Sequence, residues 1–209
     1  MAKELTMLTG FNIANVEGVM IVTREEEPRT LMWKTLTDFE AESNIEEGQE
    51  VTQKVKGTIM GLLKEEDVIK GYDLTAEDER LIPEILALVD GGTWDESEKE
   101  YSAPAQGSTV ERTAFDTYLY TSDRGTGGEI KNYLRWLFPN CKGSPVKLGA
   151  KDNEFHKQEY NIKSRPADGE SAFKVKAVDE MFGEAPEAAK LSNAAGRQTA
   201  VAPAPKEGN

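Results

Sequence analysis

Four stretches of this chain alternate apolar and polar residues with a period of two, and two more are dense in β-branched and aromatic residues. A period of two turns one face of an extended strand to a core and the other to water, whereas a helix needs a period of 3.6. In residues 30–40, Leu31, Trp33, Thr35, Thr37 and Phe39 fall on one face. Residues 50–63 read as one strand with Val51, Val55, Ile59 and Leu63 on one side and Lys54, Lys56 and Thr58 on the other. Residues 159–166 and 171–181 alternate too, and the "PADGES" between them contains Asp-Gly, which predicts a hairpin. "EGVMIVTR" (17–24) and "TVERTAFDTYLYTS" (109–122) consist largely of strand formers. The fold class is therefore mainly β.

One helix is expected, from about Ile82 to Val89. Pro83 suits a first helical position, and Gly91-Gly92 supplies a stop. Thr75 with Asp78 offers an earlier cap, but Pro83 inside a longer helix would kink it. The run "IKNYLRWLF" (130–138) fits either period; the preceding glycines, the aromatic content and Pro139 after Phe138 favour a strand. Residues 64–71 and 93–108 read as loops. Residues 183–209 are mostly Ala, Pro and Gly and have no aromatic residue, so they form an extended or disordered tail to a domain spanning 1–182.

Composition removes several function classes. A chain of 209 residues with 38% apolar content can bury one real core. It has no apolar run long enough for a membrane helix and no signal-peptide pattern at its start, so synthesis without export is expected. A single cysteine excludes an internal disulfide, and with one histidine it leaves too few soft ligands for a closed zinc site. Net charge is -13 and uneven: residues 1–100 hold 10 basic and 24 acidic side chains, residues 101–209 hold 15 and 14. Tight nucleic-acid binding, which needs Lys and Arg to displace counterions, does not fit. Ordinary solubility fits, and so does head-to-tail assembly with complementary faces.

The glycine-rich "DRGTGGEIKN" lies between two strand-like segments and invites comparison with a phosphate loop. The spacing fails. From Gly125, a Walker loop requires glycine at Ile130 and a hydroxyl at Asn132, and a dinucleotide fingerprint also requires glycine at Ile130. A turn between strands remains. Cys141, beside Lys142, is a conceivable nucleophile with His156 as its base, but no local signature supports the pair, and a buried cysteine filling space explains it as well. The acidic clusters at 24–28, 44–50 and 64–68 lack the glycine-centred spacing of a calcium loop. No cofactor, metal or catalytic residue is expected, and the chain reads as a non-enzyme.

The order of segments carries a further signal. "VKGTIMGLLKEEDVIKGYDL", "PEILALVDGGT", "FDTYLYTSD", "GEIKNYLRWLFPNCKGSP" and "KDNEFHKQEYNIKSRPADGESAFKVKAVD" follow one another from about residue 50 to 182. This pattern resembles the major tail (tail tube) proteins of bacteriophages infecting Gram-positive bacteria. Its most specific parts are "FPNCKG", "DNEF" and the "SRPADGES" hairpin. The resemblance implies an antiparallel β-sandwich with one short flanking α-helix, and inner strands that complete a barrel on ring assembly. It implies a "FPNCKG" corner in which Cys141 fills space. It implies hexameric rings stacked into a tube for genome ejection, in the tail of a virion assembled in the host cytoplasm. The partners would be the chain itself, the tape measure protein in the lumen, tail terminator and tail-tip or baseplate proteins, a sheath protein where the tail is contractile, and DNA in transit without tight binding, with no membrane. A β-sandwich binding module of a tail tip, taking a carbohydrate or a receptor through an exposed aromatic such as Trp94, is the alternative.

The charge split adds an expectation about contacts. Stacking should bring Arg112, Arg124, Lys131, Arg135 and Lys142 of the second half near acidic loops of the first, with Glu46, Glu47 and Glu50 as candidates there.

Overall fold

The computed structural model describes residues 10–55, 58–150 and 152–183, and for residues 51–63 only the backbone. The described residues are mainly β with one helix. The elements are β1 (Ile13–Thr23), β2 (Thr30–Trp33), β3 (Leu36–Glu46), β4 (Glu50–Val55), β5 (Thr58–Lys64), β6 (Val68–Asp78), α1 (Pro83–Asp90), β7 (Thr93–Asp95), β8 (Glu100–Ser102), β9 (Phe115–Arg124), β10 (Ile130–Gly143), β11 (Gln158–Ser164) and β12 (Lys174–Val178). Eight strands form one antiparallel sheet in the order β2-β1-β9-β10-β11-β6-β3, with β12 also on β10.

The sheet folds onto itself at two corners. The first is β10. Its residues from Tyr133 to Leu137 pair with β12, while Cys141 to Gly143 pair with β11. Between them a bulge separates Phe138 from Cys141, and Asn140 takes φ 47. Asn tolerates that left-handed backbone better than most residues, and a bulge bends a strand. The expected "FPNCKG" corner thus lies inside a continuous strand. The second corner is the step from β2 to β3, across Lys34 and Thr35 alone. β2 pairs with β1 and β3 with β6, so one extended segment passes between the two layers. Such layer-switching strands are how sandwiches close their corners.

The second corner is pinned by Asp78 at the end of β6. Its buried carboxylate accepts hydrogen bonds from Trp33 Nε1, Thr35 Oγ1 and the Arg80 backbone N–H. Trp33 also packs edge-on against Tyr160 of β11, with ring centroids 5.1 Å apart. The core between the layers joins Val19, Ile21 and Leu119 to Leu74, Tyr160 and Ile162. Helix α1 adds Ile85, Leu86, Leu88 and Val89. It ends as expected, with Gly91 in the left-handed region at φ 87. A smaller cluster of Met20, Val22, Tyr118 and Tyr120, with Val178, Met181 and Phe182 against it, covers the other side of β1 and β9.

Several expectations are corrected. Residues 50–63 are two strands, not one: β4 and β5 pair antiparallel from Glu50 opposite Lys64 to Val55 opposite Thr58. Val68 to Gly71 belong to β6, so the loop at 64–71 shrinks to the residues before Val68. The loop at 93–108 contains the short hairpin of β7 and β8. Residues 166–171 do not form a β-hairpin, because β11 and β12 both pair with β10 and not with each other. In residues 30–40 the burial phase slips: Trp33 and Leu36 are buried while Thr37 is exposed. The expected tail from residue 184 onward lies outside the described residues, and so do the side chains of Lys54 and Lys56.

Candidate functional site

The eight sequence-derived candidates do not converge. Glu46, Glu47 and Glu50 lie at the base of the β4–β5 hairpin, where Glu46 Oε2 meets Lys70 Nζ at 2.8 Å. Arg124 sits at the glycine turn between β9 and β10, which Lys131 follows in β10. Its guanidinium donates to the Gly128 carbonyl at 3.1 Å and faces Glu17 at 3.6 Å. Arg112 and Lys142 border one cleft near the C-terminus of α1, where Arg112 Nε donates to the Val89 carbonyl at 3.2 Å. Arg135 stands alone in mid-strand, its guanidinium 5.7 Å from the Tyr118 ring.

Cys141 is fully buried, and its Sγ lies 3.2 Å from the Phe138 carbonyl. Burial pushes the thiol up to about 12, so it stays protonated near neutral pH. His156 is exposed on the loop between β10 and β11. Trp94 is half-buried and stands directly opposite Tyr101, whose hydroxyl donates to Asp90. Among the described residues, no group of three or more His, Cys, Asp or Glu side chains could hold a metal ion.

The feature that sequence reasoning missed is the set of open sheet edges. Among the described residues, β3 pairs only with β6, β12 only with β10, and the short β2 only with β1. β12 lies beyond β10, and β3 lies beyond β6. On β3, Phe39 and Ala41 face the interlayer groove, so Asp38, Glu40 and Glu42 lie on the outer face. The acidity continues inward across the sheet. Asp38 is opposite Glu77, Glu77 is opposite Glu159, and Glu42 is opposite Asp73. Asp73 feels burial that raises it, but hydrogen bonds from Asn44 and Arg165 outweigh this and hold it below the usual carboxylate range. On β12, Val175 is opposite the inner residue Trp136, so Lys174 and Lys176 are on the outer face, with Arg135 opposite Lys176. Locating these residues required strand register, which charge totals do not contain. The alternation around Lys174 and Lys176 was the one available signal.

Between the layers, an apolar groove of about 230 Å³ opens beside β12, lined by Phe39, Tyr72, Leu119, Trp136, Phe138 and Phe173. No helix among the described residues is long and apolar enough to cross a membrane.

No protein-family model matches the chain, and no curated protein matches it. Among solved structures, the chain is similar to a chain of the anti-feeding prophage cap (the AFP tube terminating cap), with 11% identity and a TM-score of 0.40 over 83% of this chain and 96% of that one. It is also similar to a chain of the six-fold symmetrised anti-feeding prophage baseplate, with 10% identity and a TM-score of 0.36 over 85% of this chain and 100% of that one.

Proposed function

We propose that this chain is a structural subunit of a phage tail tube, which self-assembles into stacked hexameric rings and forms the channel for genome ejection. One observation carries the proposal: among the described residues the antiparallel sandwich leaves β3 and β12, besides the short β2, each paired on one side only, and β3 and β12 carry opposite charge. Unpaired edges are surfaces that proteins cover or use. Two different edges give a head-to-tail contact, which closes into a ring when the rotation allows. The order of segments that resembles tail tube proteins supports the same reading.

In this role the chain acts without chemistry. Cys141, the one candidate nucleophile, is a buried neutral thiol. The partners would be further copies, a tape measure protein inside the bore, and tail terminator and tip proteins at the two ends. DNA would pass without being held, because the carboxylates on the outer face of β3, β6 and β11 repel phosphate.

The test is electron microscopy of concentrated purified protein, with sedimentation velocity over a range of concentrations. Rings or tubes are expected. A chain that stays monomeric at every concentration, and binds isolated sugar with an affinity that Trp94→Ala removes, would overturn the proposal in favour of a binding module.

A further inference from the structure

We infer that one copy docks its β12 edge against the β3 edge of a second copy, with the register selected by a basic strip meeting an acidic one. This rests on the reading of the chain as a self-assembling subunit, and it names the surfaces that meet.

The two edges carry the same binary pattern with opposite charge. β12 presents Lys174 and Lys176 outward and Val175 inward, the last still 44% exposed. β3 presents Asp38, Glu40 and Glu42 outward, and Phe39 and Ala41 inward. If β3 of a second copy extends the sheet beyond β12, the outer faces run on together and so do the inner ones. Lys174 and Lys176 then stand beside Asp38, Glu40 and Glu42, and Val175 stands beside Phe39 or Ala41. Phe173, 39% exposed and stacked on Trp136 and Phe138, lies just before β12 and continues that apolar side.

Each strip is unfavourable in an isolated copy. Lys176 has Arg135 directly across the ladder, and Asp38 has Glu77, with Glu159 beyond it. Like charges at opposed positions repel. Among the described residues, Glu40, Glu42, Lys174 and Lys176 form no ion pair, and the strip on each edge would relieve the repulsion on the other.

Lysines on an edge strand are also a common protection against unwanted pairing. Protection alone does not account for a matching row of carboxylates on another open edge. The same charges exclude the wrong contacts: β12 against β12 opposes cation to cation, and β3 against β3 opposes carboxylate to carboxylate. Of the contacts between these two kinds of edge, only the head-to-tail pairing remains, and it leaves every copy with one edge of each kind for the next.

Two charge reversals test this, Lys174→Glu with Lys176→Glu, and Glu40→Lys with Glu42→Lys. Circular dichroism first establishes that each variant is folded. Sedimentation velocity should show that each variant alone associates at least about tenfold more weakly than the wild type, since juxtaposed like charges oppose docking. An equimolar mixture should recover assembly, because alternating variants present complementary edges at every contact. Folded variants that associate as the wild type does, or a mixture that fails to recover, overturn this interface while the wild-type chain still forms rings. A wild-type chain that never associates overturns the interface and the assembly reading together.

Discussion

At the residue scale, the titratable groups that matter most are those the core keeps neutral. Burial pushes Cys141 up to about 12, and it does the same to Tyr118 and Tyr160. The charge of Asp116 near Tyr118 and of Asp78 near Tyr160 adds to the effect. All three are raised above their unfolded values, so the folded chain retains protons that the unfolded chain releases. Their contribution to stability is complete below about pH 9 for the thiol and about pH 10 for the phenols, and it is lost as pH rises towards 12. Thermal melts between pH 8 and 12 should show a falling Tm. Cys141→Ala should remove the part that begins at pH 9 at a cost of about 1 kcal/mol near neutrality, since it leaves only a small cavity. A Tm that is flat across this range, or identical alkaline profiles for the two proteins, would contradict the burial of these groups.

At the element scale, the placement of α1 depends on Gly143. A methyl group there would meet the main-chain carbonyl of Val89, the last turn of the helix, and backbone cannot move aside as a flexible side chain can. Gly143→Ala should therefore cost about 1–3 kcal/mol in urea unfolding, the usual penalty of overpacking. A variant as stable as the wild type would mean that α1 docks elsewhere. Elements whose signal is local were legible in the sequence. α1 came from Pro83 and Gly91, and the strand in 130–138 from Pro139 and its aromatics. What could not be read was pairing. Alternation at 50–63 hides a reversal of direction because the register shift between Gln53 and Lys54 leaves Val51 opposite Leu63, an even number of residues away, as two same-face positions of one strand would be. The Asp-Gly at 168–169 marks a real turn, with Gly169 at φ 80, but nothing local says that β12 goes to β10 and not to β11. The split of 30–40 arises because β2 and β3 have different partners, which is a property of the layers and not of the segment.

At the scale of the whole molecule, the net charge of -13 is organised into faces by strand register. The charge difference between the two halves of the chain was visible in the sequence, but the residues first chosen from it scatter over separate places, and only Arg135 falls on the basic strip. The strip gains Lys174 and Lys176 from a segment that is neutral on average. Opposed edges of this kind make assembly sensitive to salt, because exposed pairs are screened beyond about 8 Å at physiological ionic strength. They also determine how the assembled particle meets DNA. With β12 docked on β3, the lysines are engaged by carboxylates, and Glu77 and Glu159 remain on the exposed face beside them. Assembled protein should therefore not bind double-stranded DNA even at low salt, where counterion release makes any accessible cationic strip most attractive to phosphate. The monomeric Glu40→Lys with Glu42→Lys variant, which leaves β12 uncovered and adds two cations, should bind weakly under the same conditions. Fluorescence anisotropy of a labelled duplex against ring fractions and against this variant distinguishes the two. Micromolar affinity of the rings, declining as salt is added, would show that the basic strip stays open in the assembly and that β12 is not the docked edge.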